Sequence, residues 1–220
     1  MAKLIMSVLT DGLSGKAGSA VFVRTKNGVY LRSRTVPKNP NTASQSAVRR
    51  HFGKAVSVWR GLTPAQVSAW RSYAQKIVRV DTADGTSRTL TGYTAFMALA
   101  TKFLQVKPGS PVPTAPPVFG FIGDLVFVVA AGGAGVVTFT ASSLNSLSVR
   151  TELLLQRVAS QTAMPKSNAY RTQQFVGFVV SPYNTTVTAA PGWVVPAYRF
   201  VNTLTGQSTE LIVLPVVQVS

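Results

Sequence analysis

The chain has 220 residues, 46% of them apolar, which suffices for one large or two small cores and excludes a disordered tail. It has no cysteine and one histidine, His51, which excludes a disulfide framework, a thiolate nucleophile and any multi-histidine metal site. Its charge is one-sided: 22 Lys and Arg stand against 6 Asp and Glu, and a net +16 calls for an anionic partner or a crowded assembly.

The excess lies in the first half. Residues 1–110 carry 17 basic and 3 acidic side chains, residues 111–220 only 5 and 3. No acid falls between Asp11 and Asp81, an interval holding 13 Lys and Arg. Surface helices ordinarily interleave signs to gain pairs one turn apart, so a run of one sign repels itself unless something negative meets it.

Residues 1–9 are apolar, but Asp11 and Gly12 interrupt them too early for the apolar region of a secretory signal. Residues 14–19 read as a small flexible loop. They lack the glycine spacing and the Gly-Lys-Ser/Thr ending of a phosphate-binding loop. Asn27-Gly28 between two alternating segments predicts a hairpin over residues 20–34. Tyr30, Arg32 and Arg34 share one parity, so one face of the ribbon is expected to be strongly basic.

Pro37 and Pro40 make an extended connection. Thr42 and Gln45 then read as a capping box opening a helix with Val48, Phe52, Ala55 and Trp59 on one inward stripe. Thr63-Pro64-Ala65-Gln66 is a second capping box, opening a helix with Val67, Trp70, Ala74 and Ile77 inward. Trp59 and Trp70 are the expected centre of contact between the two helices. A polar loop with an Asp84-Gly85 turn precedes a third helix over residues 91–104, with Phe96, Leu99 or Ala100, and Phe103 inward.

Residues 107–117 hold five prolines and read as a semi-rigid linker. From residue 118 the signals are all of strands: 125–130, 135–141, 147–158, 173–180, 185–189, 194–201 and 209–218. The apolar stretch 119–139 contains Asp124 and the Gly132-Gly133 pair, so it reads as two strands and a turn rather than a membrane span. The expected fold class is α+β in two parts. Residues 1–106 form a basic hairpin and helical domain, and residues 118–220 an antiparallel β-sandwich of the immunoglobulin or fibronectin type III kind, without the Cys…Trp…Cys pattern.

No catalytic constellation is readable. Asp81 and Asp84 suit a turn, His51 has no acid near it in sequence, and the serines lack a nucleophile-elbow context, so no enzyme activity and no cofactor or metal are expected. The feature with functional weight is the basic cluster of Arg24, Lys26, Arg32, Arg34, Lys38, Arg49, Arg50, Lys54 and Arg60. Its chemistry fits phosphates or an acidic protein surface. The helical spacing of Trp59, Trp70 and Phe96 marks them as core rather than stacking platforms.

Residues 15–18, 21–22 and 28–32, then Pro37-Lys38-Asn39-Pro40-Asn41-Thr42, Gln45, Arg49 and Phe52, then Trp59, Leu62-Thr63, Gln66, Trp70, Tyr73-Ala74 and Gly92-Tyr93-Thr94-Ala95-Phe96, carry a resemblance. Over residues 12–105 the chain resembles a family of small tailed-bacteriophage and prophage structural proteins, in which such a front half precedes a β-rich module. The resemblance implies a virion setting and a multi-copy assembly, with capsid, portal or tail proteins as partners and packaged DNA, through its backbone, as a further one; no membrane partner is expected. Two other readings stay open. One is a sequence-independent nucleic-acid-binding protein. The other is a host-surface or glycan-binding module using Trp193, Tyr183 and Tyr198.

Overall fold

A computed structural model describes residues 2–4, 14–25, 28–36, 39–80 and 87–220. The fold is α+β, with three helices and antiparallel sheets whose strands lie mostly in the second half. Contacts divide the chain into two compact units, Met1–Ala43 and Ser44–Ser220. No helix among the described residues is long and apolar enough to cross a membrane.

The first unit is a four-stranded sheet built from β1 (Ala2–Leu4), β2 (Gly15–Ala17), β3 (Ala20–Thr25) and β4 (Gly28–Ser33), in the order β1-β4-β3-β2. The predicted hairpin is β3 and β4, with Thr25 opposite Gly28. Part of the predicted glycine-rich loop is β2, which pairs with β3 through Gly15↔Phe22 and Lys16↔Val21, and Gly18 (φ 58°) takes the left-handed conformation at the turn between them. Lys26, Asn27, Pro37 and Lys38 lie outside the described residues.

In the second unit, α1 (Ala43–Arg60), α2 (Pro64–Gln75) and α3 (Gly92–Val106) share one core. Both halves of the second capping box are made: the Thr63 hydroxyl accepts from the Gln66 N–H, and the Gln66 side chain accepts from the Thr63 N–H. Thr91 caps α3 in the same manner through the Thr94 N–H. Phe96, Ala100 and Phe103 are buried as their spacing predicts. The tryptophans meet through an intermediary: Phe96 packs on Trp59 at 5.3 Å and on Trp70 at 5.1 Å between ring centres. Gly92 allows α2 and α3 to approach, since a Cβ there would lie 2.9 Å from the Arg71 backbone nitrogen.

Only the second half of α1 joins this core. Ala55 is buried and Trp59 packs against the cluster, but Val48 and Phe52, predicted to point inward with them, are exposed. The stripe continues along the helix; the surface it would cover ends at α3. The predicted loop after α2 is flanked by β5 (Val78–Val80) and β6 (Ser87–Thr89), which pair antiparallel, while residues 81–86, with Asp81 and the Asp84-Gly85 turn, lie outside the described residues.

The proline-rich segment is packed onto the helices and belongs to the compact unit Ser44–Ser220. Val112 is buried in the helical core, Trp70 donates its indole N–H to the Thr114 carbonyl at 2.8 Å, and Lys54 donates to the Ser110 carbonyl at 2.9 Å. The physical reason is that proline rings are apolar and lack a backbone donor, so a proline run can lie on an apolar surface without burying unsatisfied N–H groups.

The strands follow: β7 (Val128–Gly133), β8 (Val136–Ala141), β9 (Val149–Val158), β10 (Arg171–Val176), β11 (Asn184–Thr188), β12 (Gly192–Asn202), β13 (Ile212–Val213) and β14 (Val217–Val219). They form a three-stranded sheet β11-β8-β7 and a five-stranded sheet β10-β9-β12-β13, with β14 also on β12. One core draws on both sheets, with Val137 and Phe139 from β8 meeting Leu153 from β9 and Tyr198 and Phe200 from β12. The last predicted strand is split into β13 and β14 around Pro215. That split also explains Pro196 inside a central strand. Its carbonyl accepts from the Leu214 N–H, so its missing donor faces the gap where β12 changes partner from β14 to β13.

The opposite face of β9 and β12 is buried too. Leu154, Val195 and Ala197 form a small cluster there, and Glu152 meets α3. Gly206 (φ 76°) lies so close to α3 that a Cβ would sit 2.2 Å from the Leu99 carbonyl oxygen. Gln207 donates to the Val118 carbonyl and to the Tyr73 hydroxyl. Helices and sheets of the second unit are thus joined by direct packing.

Candidate functional site

The predicted basic cluster divides between the two units, and each part has its own geometry. In the first unit the ladder pairs Arg24 with Val29 and Arg32 with Val21. Directly paired residues share a face and neighbours along a strand alternate, so Arg24 and Arg32 lie on opposite faces. Lys16 is paired with Val21 and joins the face of Arg32. The ribbon therefore has a Lys16–Arg32 face, while Arg24 stands beside Phe22 and Leu31. Arg34 follows β4 and donates its backbone N–H to the Ser19 carbonyl at 2.7 Å.

In the second unit α1 carries Arg49, Arg50, Lys54 and Arg60. At 100° per residue Arg49 and Arg60 fall on one line along the helix, with Arg50 about a quarter-turn away and Lys54 beside Arg50. Arg49, Arg50 and Arg60 are exposed. Lys54 differs, because its ammonium donates to the Gly109 and Ser110 carbonyls beyond the end of α3. It anchors the proline-rich segment and is withdrawn from contact with an external anion. Lys26 and Lys38 lie outside the described residues.

The acids do not meet this surface. Among the described residues both ion pairs fall on Glu152, which accepts from Lys102 at 3.0 Å and Arg199 at 2.6 Å. Thr172 donates to the same carboxylate. Burial pushes the Glu152 carboxyl up, but the hydrogen bond from Arg199 and the charge of Lys102 outweigh it and hold the group below the usual range. Asp124 shows the same balance: burial raises it, while the N–H and hydroxyl of Ser146 and the Asn145 amide donate to it and bring it lower.

His51 is lowered as well, which for a base disfavours the charged form. Burial lowers it first, and the neighbouring charges of Arg50 and Lys54 lower it further, so it is neutral at pH 7 and adds nothing to the positive field. Its Nδ1 is buried without a hydrogen-bond partner. Among the described residues no group of three or more His, Cys, Asp or Glu could hold a metal ion. Of the three aromatics considered for glycan contact, Tyr198 is buried, Tyr183 packs against the β core and Trp193 is partly buried on β12.

What the sequence reading missed is an apolar surface. Ile122 and Leu125 are 90% and 96% exposed, and Phe127 and Ile212 are exposed beside them. With Tyr198 and Phe200 as its floor, this group surrounds a hollow of about 190 Å³. Large exposed apolar patches mark interaction sites more often than scattered single residues do. The predicted strand at 125–130 begins only at Val128; before it Val126 is buried in the β core while Leu125 and Phe127 on either side are exposed. A separate groove of about 480 Å³ runs between the helices and the sheet turns, lined by Tyr73, Leu99, Lys102, Phe119 and Gln207 among others.

No protein-family model matches the chain, and no curated protein sequence matches it. The functional reading therefore rests on this geometry and on the sequence itself.

Proposed function

We propose that the protein is a non-enzymatic structural component of a tailed-phage virion, docking through its basic helical part onto a capsid, portal or tail assembly. The observation that carries this reading is the exposed apolar pair on α1. Val48 and Phe52 share one side of the helix, with Arg49 at its edge, and such a side suits burial against an acidic, partly apolar protein surface. The resemblance of residues 12–105 to tailed-phage structural proteins supports the virion setting. The two sheets about one core support a sandwich of the immunoglobulin or fibronectin type III kind for the β part, serving as a rigid carrier of the exposed apolar surface.

The test is to label the β part, at an exposed position such as Met164→Cys, in particles made by the phage or prophage that encodes the chain, and to find the label by electron microscopy. Label over the whole shell makes the protein capsid-associated, and label at one vertex or along the tail makes it a connector or tail component. Particles without label remove the virion reading.

A second reading has its own observation: Arg50 and Arg60 are exposed, and no described acid pairs with them. That favours contact with a nucleic-acid backbone. Binding to arbitrary duplex DNA that falls by orders of magnitude between about 50 and 200 mM salt is the expected behaviour in that case.

A further inference from the structure

The groove between the helices and the sheet turns has the make-up of a small-molecule site. Its volume is about 480 Å³, and its walls are mostly apolar, with Ile77, Leu90, Leu99, Phe119 and Phe121 among them. Ligand sites commonly measure about 300–1,000 Å³ and join such walls to a few polar groups. Phe119 meets Tyr73 at 6.1 Å between ring centres yet is 52% exposed, so an occupant would bury it further. Among the described residues that line the groove, Lys102 carries the one charge. Its ammonium belongs to a cluster that is not neutral. Lys102 and Arg199 both donate to Glu152, at 3.0 Å and 2.6 Å, which sets two cations against one carboxylate and leaves a surplus of one positive charge. Among the described residues Glu152 is the one acceptor of the Lys102 ammonium, which has three N–H donors. Burial lowers Lys102, and the charge of Glu152 does not make up the difference, as a second anion would.

We propose that the groove binds a small organic acid with an apolar body, its carboxylate on the Lys102 ammonium and its body against Leu90, Leu99, Phe119 and Phe121. The carboxylate supplies the charge that the cluster lacks. It does so in a partly desolvated place, where a charge-assisted hydrogen bond is stronger than in water. The body takes apolar surface of the groove out of water. The acid is selected over the matching alcohol, which leaves the surplus charge unmet, and over an amine, which adds to it. The site does not rest on the virion reading, since none of its residues belongs to α1 or to the first unit.

Titration calorimetry of the full-length protein with octanoate and with 1-octanol tests this. Wild type is expected to bind one octanoate, and to bind 1-octanol more weakly by about 10-fold or more, as for loss of one charge-assisted hydrogen bond. Lys102→Met removes the surplus charge and still leaves Glu152 paired with Arg199, so the fold is retained, as a thermal melt checks. It is expected to lower octanoate affinity about 10-fold and to leave 1-octanol unchanged. Ala98→Trp, at an exposed position of α3 that lines the groove, is expected to obstruct it and abolish binding of both. Octanoate held elsewhere on the basic surface would survive Ala98→Trp. The proposal is overturned if wild type fails to bind octanoate or binds the acid and the alcohol alike. It is overturned equally if Lys102→Met or Ala98→Trp binds octanoate as wild type does.

Discussion

Helix α1 and strand β9 handle charge in opposite ways. On α1, Arg50 and Arg60 are exposed, whereas β9 holds a fully buried Glu152 that gathers Lys102 from α3 and Arg199 from β12. In water two charges at 4 Å attract by only about 1 kcal/mol, but in a protein interior the same attraction is several-fold larger and the loss of one partner is correspondingly costly. Arg50 and Arg60 therefore contribute little to folding and are available for partners, while Glu152 serves the fold and is closed to partners. Sequence position alone does not separate these roles, since Lys54 belongs to the basic helix yet is committed to backbone carbonyls of the proline-rich segment.

The largest way to break the comparison is to remove the buried carboxylate. Glu152→Ala leaves two cations without a counter-charge and is expected to cost about 3–5 kcal/mol in a denaturant melt. A loss under 1 kcal/mol would mean that the α3–sheet junction does not depend on this pair. The acid limb sharpens the same point. Glu152 titrates lower in the folded than in the unfolded chain, so below about pH 4.5, the ordinary value for Glu, the unfolded state binds the extra proton. Its contribution is complete above that pH and declines as pH falls through the folded value. A Glu152→Gln variant is expected to show a shallower fall of stability with acidification than wild type, beginning from a lower plateau at pH 7.

Lys54→Ala should lie between the two extremes. It removes donors to the Gly109 and Ser110 carbonyls, and a loss of about 1 kcal/mol is expected. Limited proteolysis within residues 107–117 should quicken with it, which a purely solvated lysine would not produce.

The smallest effect on folding belongs to Arg50→Ala with Arg60→Ala. Stability is expected to stay within about 0.5 kcal/mol of wild type for each exposed change. Binding to an acidic protein partner or to duplex DNA should nevertheless weaken, and for DNA the salt slope should fall by about one unit per lost phosphate contact. A stability loss above 2 kcal/mol would show that α1 uses its arginines as β9 uses its glutamate.

Local chemistry made much of the fold legible. The Thr63–Gln66 box, the pairing of β3 with β4 and the periodic placement of Trp70, Phe96 and Phe103 follow from interactions within a few residues of one another, and all three are present. The candidate surface was legible only as composition. An acid-free basic run is visible in the letters, but the ladder register decides that Arg24 and Arg32 lie on opposite faces. The exposed hollow was illegible because it joins residues 122–127 to Tyr198, Phe200 and Ile212, which lie more than 70 positions away.

The sequence by itself determined the helices, the capping box of α2, most of the strands and the asymmetry of charge, because each depends on side-chain type and short-range periodicity. Tertiary structure alone decided that α1 outruns its core, that the proline-rich segment packs on the helices, and that Glu152 is enclosed by Lys102 and Arg199. Those outcomes depend on which surfaces residues more than 40 positions apart bring together, and local pattern carries no information on that.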